Sequence, residues 1–285
     1  MCAATMVNGV KRVLVFDSGV GGLSVFDAIA ASGLALELDY VADNAWLPYG
    51  LKSDADLRAR VPALLHSMAQ QWAPDLVVVA CNTASTIALD AVRAALTVPV
   101  VGVVPPIKPA AAITRTGVIG LLATPATVRR AYTSDLITQF AADKRVVRFG
   151  SSALVDIAER KLRGEPVNAA ALKLEMQGLF GAPGGNEIDV VALACTHFPL
   201  IADELAATAP RQCVWLDSGE AIARRVGNLL IAEQGGVRVR HAGFTDGTVV
   251  SALRDAFSAR GFSTAAAIGP TPGFEATPLS VSASA

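Results

Sequence analysis

The sequence has few cysteines and no excess of charge of either sign. Four cysteines in 285 residues are too few and too scattered for a disulfide scaffold, so each thiol is expected to be buried, catalytic or metal-bound. The formal net charge is -1 and the isoelectric point is near 6.3. Because there is no basic excess, we expect no nucleic-acid partner.

Long apolar runs are also missing, although hydrophobic residues make up 52% of the chain. No uninterrupted apolar segment reaches the roughly 20 residues needed to span a bilayer, so no membrane partner is expected. The start of the chain has no basic end before an apolar stretch, and a secretory signal is therefore not predicted. We expect a compact cytoplasmic protein.

The chain does contain an alternation of short β-branched runs with longer helical patterns, from Val13 to about Phe257. This pattern is typical of βα units and parallel sheet, and the length suggests two domains of roughly 150 residues. The sequence therefore predicts an α/β fold of two similar lobes, each a mostly parallel sheet flanked by helices. The predicted limits are residues 1–101 plus 211–264, residues 102–210, and a flexible tail over residues 265–285.

The local pattern sets the expected elements. Predicted strands cover residues 12–16, 38–42, 76–80, 100–103, 118–122, 146–149, 188–194, 214–216 and 237–240. Predicted helices cover residues 23–31, 84–96, 126–140, 169–179, 200–208 and 220–233. A further helical pattern over residues 54–72 is expected to kink or restart at Pro62. Prolines at positions 99, 105, 106 and 109 predict a stiff, non-helical crossing between the lobes.

Four polar segments stand where predicted strands end, which is where ligands collect in open α/β sheets. They are Asp17-Ser18-Gly19-Val20-Gly21-Gly22, Pro48-Tyr49-Gly50, Cys81-Asn82-Thr83-Ala84-Ser85 and Cys195-Thr196-His197-Phe198-Pro199. The glycines of the first segment permit a tight turn whose amides could dock a carboxylate or a phosphate. A strand-to-helix turn alone explains them equally well, because their spacing matches neither a dinucleotide site nor a P-loop.

Cys81 and Cys195 stand in matching contexts, each after an aliphatic strand and before a predicted helix start. The positive potential of a helix N-terminus is expected to lower the pKa of both thiols. One such cysteine would be interpreted as packing, but two in the same context favour acid/base chemistry. His197 is the third candidate because it follows Cys195 at a strand end, whereas His66 and His241 receive no role.

Together these segments resemble the glutamate racemase family over most of residues 11–232. The resemblance also includes Ala123-Thr124 followed by Thr127, and Asp217-Ser218-Gly219. Each motif alone is modest evidence, whereas all of them in this order are specific. The Pro-Tyr-Gly segment and the Asp-Ser-Gly start are more like the glutamate branch than the aspartate branch of the superfamily.

The resemblance implies an active site between the lobes and a cofactor-independent interconversion of L- and D-glutamate that supplies D-glutamate for peptidoglycan. It makes Cys81 and Cys195 the catalytic pair, assisted by three further groups, Asp17, His197 and Glu159. It also implies no metal and is compatible with a homodimer. The residues that would hold the substrate are Asp17, Ser18, Pro48, Tyr49, Gly50, Asn82, Thr83, Thr124, Thr196 and His197.

Chemistry gives an independent reason for two thiols. Inverting an α-carbon requires removing a proton from one face and returning one to the other, so two opposed groups are needed. One must be a thiolate while the other is a thiol. No electron sink is evident, so aimed amides and hydroxyls in a closed, dry cleft must stabilise the developing charge.

Other interpretations remain open at this point. An aspartate or related amino-acid racemase would share the cysteines, and a zinc enzyme could use Cys81, Cys195 and His197 as ligands. A non-catalytic amino-acid-binding module would need the cleft but not the thiols. Pyridoxal phosphate is not expected, because none of the six lysines stands in a Schiff-base context. Residues 103–108, which are proline-rich, and Phe198, where tyrosine is frequent, depart from the family pattern.

Overall fold

The structure is a computed structural model that describes residues 10–268 and 277–278. The strands are β1 (Lys11–Asp17), β2 (Leu36–Ala42), β3 (Leu76–Val79), β4 (Val100–Gly102), β5 (Val118–Ala123), β6 (Arg145–Gly150), β7 (Val190–Ala194), β8 (Val214–Leu216), β9 (Arg238–Phe244), β10 (Thr264–Ala267) and β11 (Thr277–Pro278).

The α-helices alternate with these strands. They are α1 (Leu23–Ala30), α2 (Asp54–Trp72), α3 (Asn82–Ile87), α4 (Leu89–Ala95), α5 (Ile107–Ile113), α6 (Pro125–Arg129), α7 (Ala131–Phe140), α8 (Ala153–Leu162), α9 (Ala169–Phe180), α10 (Ala202–Thr208), α11 (Gly219–Leu230) and α12 (Val250–Ser258). Short 3-10 helices cover Asn44–Trp46, Tyr49–Leu51, Gly185–Glu187, Phe198–Ile201 and Gly247–Val249.

The strands form two sheets, one in each lobe. The first sheet has seven strands in the order β11-β10-β9-β2-β1-β3-β4, and its pairs are parallel except for β10 with β11. The second sheet has four parallel strands in the order β6-β5-β7-β8. The predicted α/β fold with two lobes is confirmed, although the two lobes differ in size.

Helices cover both faces of each sheet, which explains the continuous apolar runs of the central strands. Along β1, Val13 and Val15 pack with helices α1 and α11, whereas Leu14 and Phe16 pack with α2 on the other face. This alternation follows from the two-residue period of a strand. In the second sheet, α8 and α9 cover one face, and α5 and α7 cover the other.

Strand β8 lies in a different lobe from the one predicted. It pairs with β7 in the second sheet. The chain therefore stays with that sheet through Leu216 and does not leave it at residue 210. Helix α10 supplies the crossover that a parallel neighbour of β7 requires. The domain limits as a whole stay a prediction.

Two helices contain prolines where the sequence predicted an interruption. Helix α2 does not restart at Pro62, because Leu57, Val61 and Leu65 bury one continuous face of it. Pro109 is the third residue of α5, so the prediction of a non-helical segment there is wrong. Amides in the first turn of a helix have no intrahelical partner, and proline costs no hydrogen bond at that position.

Two predicted helices are divided, and three helices, α5, α8 and α12, were not predicted. Residues 84–96 form α3 and α4, which meet at Ala88. Residues 126–140 form α6 and α7, because the extended backbone of Arg130 ends the first of them. Helices α8 and α12 lie outside all predicted helices. The omission of α8 matters most, since it carries Glu159.

Residues 265–267, which the sequence placed in a flexible tail, form part of strand β10. Strand β10 pairs in parallel with β9, and Ala265 and Ala266 are buried there. The small side chain of Ala265 packs with Leu253 and Phe257 of α12. The rest of the predicted tail, apart from β11, lies outside the described residues, as does Cys2. Within residues 10–268 and 277–278, no helix is both long and apolar enough to cross a bilayer.

Candidate active site

The polar segments that follow β1, β3, β5 and β7 meet in the cleft between the lobes. They help to enclose a cavity of about 30 Å³, which has room for about one or two water molecules. The cleft is therefore closed in this structure. The cavity is lined by Ser18, Leu47, Pro48, Tyr49, Gly50, Cys81, Asn82, Thr83, Thr124, Val155, Cys195, Thr196 and His197. Two predicted site residues, Asp17 and Glu159, lie behind this lining and contact it through hydrogen bonds.

Cys81 follows β3 and occupies the N-cap position of α3. Its Sγ lies 3.5 Å from Ser18 Oγ. Burial raises the pKa of the Cys81 thiol far above its usual value, and the negative charge of Asp17 adds to this effect. The Ala84 amide at the helix start does lower this pKa, but burial outweighs it, so the predicted net lowering of the pKa is wrong. Cys81 is therefore protonated at neutral pH.

Cys195 follows β7 and faces an ion pair. His197 Nδ1 lies 3.8 Å from Cys195 Sγ, and His197 Nε2 lies 2.9 Å from Glu159 Oε1. Burial alone would lower the pKa of His197, but its hydrogen bonds to Cys195 and Glu159 raise it well above the usual value. Burial would raise the pKa of Glu159, but the hydrogen bond and charge of His197, together with the Val20 amide and the charge of Arg163, outweigh it and lower this pKa. The pair is therefore an imidazolium and a carboxylate.

Glu159 also joins the two lobes. It lies on α8, and its Oε1 accepts a hydrogen bond of 2.9 Å from the N–H of Val20 in the turn after β1. A Cβ at Gly19 would overlap Glu159 Oε1, and a Cβ at Gly21 would lie 2.7 Å from His197 Cε1. These glycines therefore let side chains of the second lobe reach the main chain of the first. The Val20 amide of this turn is thus occupied by a carboxylate of the protein itself.

Asp17 ends β1 and is fully buried. Its Oδ2 accepts hydrogen bonds from the N–H of Gly22 at 2.6 Å and from Thr196 Oγ1 at 3.2 Å. Burial raises the pKa of Asp17, and the positive charge of His197 opposes this. Asp17 Oδ1 and Asn82 Oδ1 are buried without a hydrogen-bond partner among the described residues. Of these two residues, Asn82 lines the cavity and Asp17 lies behind it.

Tyr49 lines the cavity, but its hydroxyl is engaged elsewhere. It donates to Asp43 Oδ2 at 2.6 Å, and Arg60 holds the same carboxylate through hydrogen bonds of 2.6 and 2.7 Å. Thr245 Oγ1 donates to Asp43 Oδ1 at 2.8 Å. Asp43 and Arg60 therefore anchor the segment that contains Pro48, and sequence reasoning missed both. The available signal was that Asp43 directly follows β2.

Thr124 occupies the N-cap of α6 and accepts a hydrogen bond of 3.3 Å from the N–H of Thr127. Its hydroxyl also lies 2.9 Å from Thr127 Oγ1. No group of three or more His, Cys, Asp or Glu side chains in the described part of the chain is arranged to hold a metal ion. The zinc interpretation therefore lacks a ligand set there.

A model of the Asp/Glu/Hydantoin racemase family matches residues 23–226, which is more than half of the chain. The chain belongs to this family. Two relatives of this racemase are glutamate racemases. The Sphingopyxis alaskensis enzyme is 53% identical over 217 residues, which cover 76% of this chain and 81% of the relative. The Vibrio cholerae enzyme is 52% identical over 231 residues, which cover 81% of this chain and 85% of the relative.

Solved glutamate racemases share the fold of this racemase. The Escherichia coli enzyme was solved in complex with L-glutamate and the activator UDP-MurNAc-Ala. It has a TM-score of 0.85 at 42% identity, and the match covers 91% of this chain and 98% of the Escherichia coli chain. The Thermus thermophilus enzyme, in complex with β-chloro-D-alanine, has a TM-score of 0.71 at 30% identity. This match covers 91% of this chain and 97% of the Thermus thermophilus chain. The resemblance predicted from the motifs is confirmed.

The two departures of this racemase from the family pattern lie outside the cavity lining. Phe198 is fully buried in the core of the second lobe, where an apolar ring needs no polar partner. Residues 103–108 lead into α5, and Lys108 Nζ lies 5.5 Å from the centre of the Phe140 ring. Neither departure changes the groups around the two thiols.

Proposed function

We propose that this chain interconverts L- and D-glutamate without a cofactor, with Cys81 and Cys195 as the two acid/base groups. The observation that supports this proposal is that two buried thiols, one from each lobe, line one small cavity. Relatives that are about half identical and are glutamate racemases support glutamate as the substrate.

The proposed reaction needs one proton shared between two sulfur atoms. A thiolate on one side removes the α-proton, and the electron pair of the broken C–H bond stays on the α-carbon. The thiol on the other side donates its proton to the opposite face, so the product is the mirror image of the substrate. The two sulfurs have then exchanged protonation states, and the reverse reaction uses them in the opposite order.

Each thiol has its own assisting groups in this proposal. The His197 imidazolium faces Cys195 Sγ and stabilises negative charge there, while Glu159 keeps the imidazole charged and oriented. On the other side, Ser18 and Asp17 flank Cys81, and burial raises the pKa of the Cys81 thiol. Cys81 is therefore expected to be a thiol in the free enzyme.

The remaining groups are proposed to hold the substrate. Asp17 and Asn82 offer unpaired oxygens to the ammonium group. Pro48 and Tyr49 shape the wall, because the Tyr49 hydroxyl is already bonded to Asp43. A cavity of about 30 Å³ is too small for glutamate, so the lobes must open to admit it. The two carboxylates would be held by hydroxyls and amides of Ser18, Gly50, Thr83, Thr124 and Thr196.

The biological setting follows from the same chemistry. We propose that the product serves peptidoglycan synthesis, as the resemblance implies. Two free catalytic thiols require a reducing compartment, which supports the cytoplasm as the location. A homodimer is a further proposal, and sedimentation at several protein concentrations tests it.

Circular dichroism of purified protein with L- or D-glutamate, with aspartate in parallel, tests the proposed function. We expect the signal of either glutamate enantiomer to decay to zero, with and without a chelator and without added pyridoxal phosphate. Faster racemisation of aspartate would assign the protein to the aspartate branch. Loss of activity in chelator would favour the zinc enzyme, and absence of turnover with both amino acids would overturn the proposal.

A further inference from the structure

Each oxygen of the Glu159 carboxylate has a different kind of partner. Oε1 accepts hydrogen bonds from Val20 and His197. Oε2 faces the guanidinium of Arg163, whose Nη2 lies 3.2 Å away. Arg163 is the C-cap residue of α8, one helical turn after Glu159, so the two side chains share one side of the helix.

We propose that Arg163 is a positioning residue for racemisation, which holds the Glu159 carboxylate in the orientation that keeps His197 directed at Cys195. This inference rests on the proposed function. Arg163 does not line the cavity that holds the thiols, whereas it does line a neighbouring cavity of about 240 Å³ beside Glu159. It therefore acts through Glu159, to which its guanidinium is hydrogen-bonded.

The geometry explains why one oxygen must be fixed from outside. A partial rotation of the carboxylate would move Oε1 away from Val20 and His197 and weaken both bonds together. A guanidinium on Oε2 opposes that rotation, because a charge-assisted hydrogen bond is roughly twice as strong as a neutral one. The side chain of Glu159 is only 5% exposed, whereas that of Arg163 is 31% exposed. Arg163 thus reaches the Glu159 carboxylate from the solvent-exposed side of the site.

Arg163 also contributes to the charge balance around Glu159. Burial raises the pKa of Glu159, while His197, the Val20 amide and the charge of Arg163 together lower it. His197 faces this carboxylate from the segment after β7, and the turn after β1 presents only an amide and the anionic Asp17 beyond it. Arg163 is therefore the cation that α8 itself places beside Glu159.

The test compares Arg163→Gln with Arg160→Gln as a matched control. Arg160 lies on α8, but its guanidinium contacts Glu165 and Asp156 at the surface and does not touch Glu159. We expect Arg163→Gln to lower kcat about tenfold with KM within about twofold, since it removes a charged hydrogen bond that orients a catalytic partner. The acidic limb of the kcat profile should move to higher pH, because the pKa of Glu159 rises. Arg163→Lys should recover most of the loss, and Arg160→Gln should change neither value.

A double-mutant cycle separates an effect through Glu159 from a general structural effect. In the Glu159→Gln background, Arg163→Gln should cause no further loss of kcat. An equal further loss there, an unchanged kcat in the single variant, or a rise in KM alone would overturn the inference. Thermal unfolding midpoints of all variants test for a folding defect. A loss of kcat that such a defect causes would persist in Arg163→Lys. If the wild-type protein does not racemise glutamate, the proposed function fails. If it does and Arg163→Gln matches it, only this inference fails.

Discussion

Cys81 and Cys195 have similar sequence contexts but different electrostatic surroundings. A buried carboxylate and a hydroxyl stand beside Cys81, whereas an imidazolium paired with Glu159 stands beside Cys195. Enantiomers have equal free energy, so kcat/KM must be the same in both directions despite this asymmetry. The difference between the two sides can therefore appear only in the individual kcat and KM values of each direction.

The His197 and Glu159 pair should make stability depend on pH in a defined window. Because the pKa of folded Glu159 is lowered, its contribution is complete above the unfolded value of about 4.3 and is lost as pH falls. Because the pKa of folded His197 is raised, its contribution is complete below about 6.5 and is lost as pH rises through the folded pKa.

Urea unfolding of wild type and His197→Gln from pH 4 to pH 9 measures this contribution. The difference in unfolding free energy should be largest between about pH 4.3 and 6.5 and should shrink on both sides. His66→Gln is the control, since His66 is exposed on α2. A difference that stays constant over the whole range would contradict the charged pair.

Tyr49→Phe tests whether the Tyr49 hydroxyl bonds to Asp43 or to the substrate. Its loss leaves Asp43 bonded to Arg60 and Thr245, so we expect the unfolding free energy to fall by about 1.5 kcal/mol. KM for glutamate should stay within about twofold, because the removed hydrogen bond does not reach the substrate. A large rise in KM with unchanged stability would place the hydroxyl on glutamate.

At the scale of residues, the sequence predicted the thiols and most of their neighbours because each follows a strand. It did not predict Asp43, Arg60 or Arg163, which act through other side chains. Their partners are identified only when α2 and α8 are packed against the sheets. The direction of the Cys81 pKa was also mispredicted, since burial depends on the whole fold.

At the scale of elements, the site depends on the turn after β1 and on helix α8. The turn presents Gly19 and Gly21 to the second lobe, and α8 brings Glu159 to the Val20 amide. The glycines and Glu159 were both singled out in the sequence, but their contact was not predicted, because α8 was not predicted. Its buried residues include adjacent pairs such as Leu154 and Val155, which blur the helical period.

Gly21→Ala tests the close approach of the lobes. The added Cβ would lie 2.7 Å from both His197 Cε1 and Thr196 Oγ1, and it would also overlap the imidazole nitrogen nearby. We expect kcat/KM to fall about 100-fold, because a displacement of about 1 Å at the thiols is enough for that. Gly236→Ala is the matched control, since nothing lies within 4 Å of a Cβ there. Equal activity of both variants would contradict the proposed contact.

At the scale of the whole molecule, alternating strands and helices were sufficient to predict two lobes with parallel sheets. The limits of each lobe were harder to predict, because β8 joins its sheet through an edge pairing that leaves no distinct pattern in a three-residue strand. The lobes are held closed by polar contacts such as Asp17 with Thr196 and Arg130 with Asp54, whose two hydrogen bonds are both 2.8 Å.

Closure should be visible in solution scattering. Because the cavity of about 30 Å³ is too small for glutamate, we expect the free protein to open and the bound protein to close around the substrate. We expect the radius of gyration to fall when glutamate is added and to stay constant when an equal concentration of glycine is added. An unchanged radius at saturating glutamate would contradict lobe closure.

The central claim is that one sulfur acts on each face of the α-carbon, and racemisation in deuterated water tests it most directly. L-Glutamate is incubated with wild type, Cys81→Ser, Cys195→Ser and the control Cys213→Ser, whose cysteine lies outside the cavity lining. Wild type and the control should place deuterium mainly in newly formed D-glutamate, because the returned proton comes from a second thiol that exchanges with solvent. Each of the other variants should lose racemisation by about 1,000-fold. Racemisation at the wild-type rate by either Cys81→Ser or Cys195→Ser would contradict the two-thiol account.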